Sequence, residues 1–284
     1  MTGVWMDKNR VNLIKFLSCA ALLVIAYIPT IRWMIERWMQ NESYYSHGFL
    51  IPIISLFVAW QRKDVIGKAK VSSEMAGLWI AALGIIIHII CATLRVYFIS
   101  GFSLVFVLYG MVLFFFGREV MRQLVFPIFF LLAMVPLPLV LISNLTVKLK
   151  LFAAQCSTFI LNHIGFPSVR DGSIIRMPNS YIAVEAPCSG LRSLIALITL
   201  GLLFAFAMKT SYLKKALVLL SAVPIAIAAN ILRIILLATV NDLYGEKIAM
   251  GFFHDFTGFL VFVVAFAGLW AVVKVLEPKE GSRE

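Results

Sequence analysis

Cys188 stands in Glu185-Ala186-Pro187-Cys188-Ser189-Gly190-Leu191-Arg192-Ser193, just ahead of a long apolar run. Pro187 and Gly190 restrict the backbone and Ser189 suits an N-cap, so a helix is predicted to start there. A cysteine at a helix N-terminus faces unpaired N–H groups and the positive pole of the macrodipole. Both favour a thiolate, and Arg192 pushes the same way. These are the surroundings of a nucleophile. Cys19, Cys91 and Cys156 lie inside apolar stripes, where a cysteine is ordinarily a small buried hydrophobe. The four cysteines form no C-x-x-C pair and no metal-ligand spacing, so neither structural zinc nor any other metal is expected.

Asn230-Ile231-Leu232-Arg233 interrupts an otherwise apolar run from Ala216 to Val240. Residues three apart share a helix face, so Asn230 and Arg233 point together. An arginine inside a span costs about 2.5–3.5 kcal/mol on insertion scales and marks a functional site by default. Seven residues, about 10 Å, separate Arg233 from the end of the run, within reach of a polar pocket at the surface. A structural pair with Glu185 or Asp242 is the alternative. His254, in Gly251-Phe252-Phe253-His254-Asp255, and His47, in Tyr44-Tyr45-Ser46-His47-Gly48, open two further apolar runs. His88 and His163 read as polar anchors. A cysteine, a buried arginine and a histidine on one membrane face suit a nucleophile, an anion stabiliser and a general base.

The elements that must position these groups follow from composition. Of 284 residues, 62% are hydrophobic and 14% charged, against about half and a quarter in soluble domains. The chain is therefore an all-α polytopic membrane protein rather than a cytosolic enzyme or a secreted disulfide scaffold. About eight spans of roughly bilayer length are predicted, at 13–31, 47–61, 76–94, 101–116, 123–138, 190–208, 216–240 and 256–273. The first lacks a small-x-small cleavage site and reads as a retained span rather than a signal peptide.

The formal charge of +11 would suggest nucleic acid in a soluble chain. Here 15 of the 25 cations fall on one side of these spans, among them Lys15, Arg62, Lys63, Arg118, Arg122, Lys214, Lys215 and Lys274. That asymmetry is the positive-inside rule, so both termini are expected in the cytoplasm and no nucleic acid is implied. Trp33 and Trp38 at outer ends, with Trp60, Trp79 and Trp270 at inner ends, fit an aromatic belt. On this topology Cys188, Arg233, His254 and His47 all face outward. The whole chain, 1–284, reads as one integral-membrane domain, with 139–189 an outer-face loop and 274–284 a cytoplasmic tail. Within that loop, Leu141, Leu145, Leu149, Phe152, Cys156, Phe159 and Ile160 make an apolar stripe expected of an amphipathic helix lying in the interface. Ser173–Met177 and Tyr181–Ala186, around Pro178-Asn179-Ser180, read as a small β-hairpin before the sixth span.

Cys188-Ser189-Gly190-Leu191, then Asn230-Ile231-Leu232-Arg233, then His254, in that order in a polytopic chain, resembles the exosortase/archaeosortase family. Tyr45-Ser46-His47-Gly48-Phe49-Leu50-Ile51-Pro52 and Pro136-Leu137-Pro138 add to the likeness, which runs from about residue 38 to 273. The resemblance implies a cysteine transpeptidase or protease of the bacterial inner membrane. Its substrates would be exported, exopolysaccharide-associated proteins bearing a C-terminal PEP-CTERM tail: a short Pro-Glu-Pro motif, a transmembrane helix and a basic end. It implies Cys188 as nucleophile with Arg233 and His254. Asn230, His47, Ser189, Arg192 and Glu185 would support them or bind substrate. No cofactor is implied. The acceptor of the cleaved protein is open among water, an amine, and a lipid or glycan hydroxyl, and membrane lipids surround the site. Two other classes place polar groups in spans. A transporter or flippase would carry broken helices in corresponding halves near the midplane, and a membrane thiol-disulfide enzyme would need a second outer cysteine beside Cys188.

Overall fold

The computed structural model describes residues 2–41, 43–185 and 189–277, with the backbone alone described at 2–10, 252 and 255. The protein is helical apart from one small sheet. The chain divides into two compact units, residues 1–138 and 139–284. The helices are α1 (Thr2–Ala26), α2 (Ile28–Trp38), α3 (Leu50–Gln61), α4 (Lys63–Lys68), α5 (Met75–Thr93), α6 (Tyr97–Phe130), α7 (Leu139–His163), α8 (Leu191–Ala207), α9 (Tyr212–Tyr244), α10 (Glu246–Ala249) and α11 (Phe252–Leu276). Among the described residues, five stretches are long and apolar enough to cross a bilayer: Met75–Thr93, Tyr97–Met134, Leu139–His163, Tyr212–Tyr244 and Phe256–Leu276. The bent pair Val11–Ala26 and Ile28–Trp38 makes a sixth, and Ser46–Gln61 and Leu191–Ala207 are shorter apolar helices. The all-α polytopic membrane fold is thus the one expected.

In the first unit, the span expected at 13–31 breaks. α1 and α2 meet at 64°, where Pro29 has no N–H to continue the ladder. The break frees the Ala26 carbonyl, and His88 Nε2 lies 3.2 Å from it. His88 is therefore no interfacial anchor. It is 5% exposed, its ring stacks on that of Tyr27, and its Nδ1 lies 2.7 Å from Ser100 Oγ. Thr30 Oγ1 is 2.6 Å from the same hydroxyl, and Tyr27 bonds Ser103. A carbonyl can only accept, so Nε2 carries the proton and Nδ1 accepts from Ser100. In this way the bend keeps its backbone satisfied inside an apolar unit.

α6 is a helical hairpin. At Gly117 the backbone takes φ 84°, ψ −174°, a left-handed-side conformation open to glycine, and a side chain there would run into Ser72. Phe129 then packs against Tyr109, ring centroids 5.7 Å apart, although twenty residues of straight helix would separate them by about 30 Å. The two arms correspond to the spans expected at 101–116 and 123–138. Trp60, Trp79 and Trp270 are exposed as a belt requires, but Trp38 is 8% exposed and its indole donates to Met134 O. Its N–H holds the start of the Pro136-Leu137-Pro138 break, so Trp38 is a structural clamp rather than a belt residue.

In the second unit, α8, α9 and α11 run alternately up and down. Phe204 of α8 meets Phe266 of α11 at 6.1 Å. The helix expected in the interface, α7, packs lengthwise along α9: Leu149 and Ala153 lie beside Ile227 and Asn230, and Ser157 Oγ reaches Ile231 O at 3.5 Å. It buries a narrow face of Ile142, Thr146, Ala153, Ala154, Ser157, Thr158 and Leu161, while Leu141, Leu145, Phe152 and Phe159 are exposed. Small residues toward a neighbouring helix and large apolar ones outward is the pattern of a helix packed within lipid. The hairpin expected near 173–186 is present as β2 (Ile174–Arg176) and β3 (Tyr181–Ala183), with Ile175 opposite Ile182. A third antiparallel strand, β1 (Val169–Asp171), precedes it. Ile175, Met177, Ile182 and Val184 form one core with Ala153, Ala154 and Leu161 of α7 and Ile234, Leu237 and Ala238 of α9.

Candidate active site

The second unit brings Arg233 and His254 into contact. Arg233 Nη2 is 3.3 Å from His254 Nε2 and also donates to His254 O at 3.3 Å. The same carbonyl accepts from Thr257 Oγ1 at 3.0 Å, a residue with no exposure. An arginine N–H donates and never accepts, so the Nε2 facing it must hold its lone pair and the imidazole its proton on Nδ1. Both side chains are half-buried. Arg233 Nε is buried without a hydrogen-bond partner among the described residues. The pairing with Glu185 or Asp242 is not what α9 adopts. Glu185 is exposed, and Asp242 Oδ1 accepts from Asn179 N and Ser180 Oγ, both at 3.2 Å.

Asn230, one turn before Arg233, is 3% exposed and lies against Gly190. Gly190 has φ +79° and caps α8. A side chain at 190 would meet the Asn230 amide at about 2.8 Å, so both the conformation and the close approach require glycine. The N-cap is therefore Gly190, not Ser189. Ser189, 3% exposed, sits one residue earlier with its Oγ 3.4 Å from Leu191 N. Ser193 Oγ donates to Gly190 O, and Arg192 is half-buried in the first turn of α8. Cys188 lies outside the described residues, as does Pro187, but its flanks are described. β3 enters on one side through Val184 and Glu185, and Ser189-Gly190 leaves on the other against Asn230.

His47 belongs to the first unit. It lies in a 3₁₀ turn, Ser46–Phe49, with its ring stacked near that of Tyr45 and its Nε2 buried without a partner among the described residues. Tyr45 is 6% exposed and accepts from Leu137 N at 3.3 Å. Burial pushes its phenol up from the usual value. The two motifs of this unit, around residues 45–52 and 136–138, thus meet each other. Among the described residues no three His, Cys, Asp or Glu side chains converge as a metal cage would need.

The residues that sequence reasoning passed over are Asn241, Thr257 and Gly258. Asn241, 3% exposed, donates from Nδ2 to Tyr181 O at 2.9 Å, and Gly258 lets the Arg233 guanidinium lie close over α11. A signal for Asn241 existed: it falls eleven residues after Asn230, on the same helix face. The family model for transmembrane exosortases matches residues 38–271. No curated protein and no solved structure matches the chain.

Proposed function

The chain belongs to the transmembrane exosortase family, and on that premise we propose that it is a membrane cysteine protease or transpeptidase acting on proteins with a C-terminal sorting tail. The observation that carries this reading is the Arg233–His254 contact at 3.3 Å, one turn from an Asn230 that seats Gly190, two residues beyond Cys188. Arg233 and His254 come from two helices of one unit, and Cys188 belongs in sequence to the stretch between β3 and α8. The substrate's apolar tail helix lies among the spans and its Pro-Glu-Pro segment reaches the site. Cys188 gives its thiol proton to His254 and attacks the carbonyl carbon as a thiolate, while Arg233, with the Asn230 amide, stabilises the oxyanion. The C–N bond then breaks, the departing amine takes a proton from His254, and a thioester remains. An acceptor loses its proton to His254 and attacks the thioester, freeing the thiolate. Water yields a carboxylate, an amine an amide, and a lipid or glycan hydroxyl an ester.

Ser189, Arg192 and Glu185 flank the nucleophile, and His47 supplies a polar contact to substrate. The site opens on the outer face of the inner membrane, with both termini in the cytoplasm. Support comes from the second unit alone. Lys209, Lys214, Lys215 and Lys274 sit at the ends of α8, α9 and α11 opposite to Gly190, Arg233 and His254, and lysines collect on the cytoplasmic side.

The deciding experiment is a gel shift of a reporter bearing the tripartite tail, co-expressed with wild-type or Cys188→Ala protein. Tail loss with the first and an intact reporter with the second is expected. Equal processing by both ends the thioester mechanism. Sidedness is read with a membrane-impermeant maleimide on spheroplasts in a Cys156→Ala background. Labelling of Cys188 only after permeabilisation moves the chemistry to the cytoplasm.

A further inference from the structure

The described residues on the two sides of Cys188 are both held by one helix. Asn230, Ile234, Leu237 and Asn241 form one face of α9, all at most 3% exposed. At the lower end of that face Asn230 seats Gly190. At the upper end Asn241 Nδ2 donates to Tyr181 O, the first residue of β3. The adjoining Asp242 Oδ1 accepts from Asn179 N and Ser180 Oγ, in the turn just before that strand. Between the two anchors, Ile182 and Val184 bury their side chains against Ile234, Leu237 and Ala238. The anchors are eleven residues apart, about 16 Å along the helix, and Arg233 lies between them on the same rigid rod. The far edge of the sheet is tied separately to α7, where the Asn162 side chain bonds both Ser168 N and Ser168 O.

Neither Asn241 nor Asp242 has a reason to be polar on packing grounds. A leucine would fill the Asn241 position beside Leu237, yet an amide sits there with its Oδ1 buried and unpartnered among the described residues. Such an orphan acceptor is costly, so its presence calls for a role. That role is the Tyr181 carbonyl. Tyr181 lies on the edge of β3 turned away from β2, because Met177 N–H donates to Ser180 O and Val184 N–H to Ser173 O. Among the described residues no strand satisfies it.

We infer that Asn241 and Asp242 are positioning residues that set the height of the β3–Cys188 segment relative to Arg233. The inference rests on the proposed reaction and deepens it. Displacing a reacting group by about 1 Å can cost a hundredfold in rate. The two residues act through the chain at 179–185 and touch no reacting atom.

The test measures kcat and KM for the tripartite-tail reporter in detergent-solubilised full-length enzyme, with the rate of Cys188 alkylation by maleimide against pH. Asn241→Asp keeps size and shape but turns a carboxylate oxygen onto the Tyr181 carbonyl. Asp242→Ala removes both turn bonds, whereas Asp242→Asn keeps an acceptor oxygen. The expected result is a kcat at least about tenfold lower for Asn241→Asp and Asp242→Ala, with KM little changed. The alkylation profile should shift in both, and Asp242→Asn should recover most of the loss. Wild-type kcat and alkylation in Asp242→Ala and Asn241→Asp overturn the inference. So does an Asp242→Asn no better than Asp242→Ala at equal membrane levels. Should Asn241→Asp fail to insert, the pair at 242 decides alone, since that side chain lies at the helix end. A Cys188→Ala enzyme that still processes the reporter overturns the proposed reaction instead.

Discussion

Arg233 Nη2 lies 3.3 Å from His254 Nε2, across two helices whose contacting residues are twenty-one positions apart in the chain. The contact sets a guanidinium N–H against the Nε2 edge of the imidazole. It also means that an oxyanion must compete with His254 for the same guanidinium edge, or take the buried Nε that no described residue uses. Lysine has one mobile ammonium and cannot serve both. Losing one oxyanion donor costs about 2.7–4 kcal/mol, a rate drop of roughly 10²–10³. Arg233→Lys is therefore expected to insert, to bind reporter, and to cleave at least about a hundredfold more slowly. Near-normal turnover at equal membrane level would leave Arg233 structural and pass the oxyanion to Asn230.

The histidines separate by unit. His254 contacts Arg233, whereas His47 sits beside Tyr45 with its Nε2 unpaired among the described residues. His254→Ala should lose about 10²–10⁴ of the cleavage rate, the range of general acid–base catalysis. His47→Ala should lose less and raise KM. Single-turnover rates with equal amounts of both variants check the ranking, and the reverse order transfers the acid–base role to His47.

Cysteine substitutions should sort as one against three. Cys188→Ala abolishes tail removal. Cys19→Ala, Cys91→Ala and Cys156→Ala retain most of it, because Cys19 is exposed on an apolar helix and Cys91 and Cys156 are half-buried, all three as free thiols. A large loss in any of these three, with normal membrane levels, would bring a second thiol into the reaction.

Gly190→Ala tests the seat beneath the nucleophile. A residue with a side chain at φ +79° costs about 1–2 kcal/mol, and the new methyl meets the Asn230 amide. The variant should melt lower and cleave more slowly. Asn230→Ala in the same protein makes room and should recover part of the stability but not the rate. Thermal unfolding in detergent and the reporter assay read the two effects apart.

His88→Leu tests the bend. It leaves the Ala26 carbonyl and Ser100 hydroxyl short of partners inside an apolar unit, where an unsatisfied polar group costs about 1–3 kcal/mol. A lower melting temperature with kcat per folded molecule unchanged is expected. A lost kcat at normal stability would make His88 part of the reaction.

Composition, charge placement and local pattern were enough to read the membrane class, most spans, the hairpin at 174–183 and the set of chemical candidates. Each of these rests on near neighbours in sequence: an apolar run long enough for a bilayer, lysines gathered at one end, β-rich runs around Pro178-Asn179-Ser180. What the sequence could not reveal depends on which distant surfaces meet. The Gly117 reversal is one residue wide, and only the Tyr109–Phe129 contact separates a hairpin from a long helix. α7 carries both an apolar stripe and a small-residue stripe. Periodicity registers the large side chains, but α9 selects the small ones as the buried face. His88 looks like any lone histidine until the broken turn at Tyr27 offers it a carbonyl. For Arg233 the sequence offered a structural pair with Glu185 or Asp242, and not the contact that forms. Tertiary packing places Asp242 at the turn, leaves Glu185 exposed and sets His254 of α11 against α9.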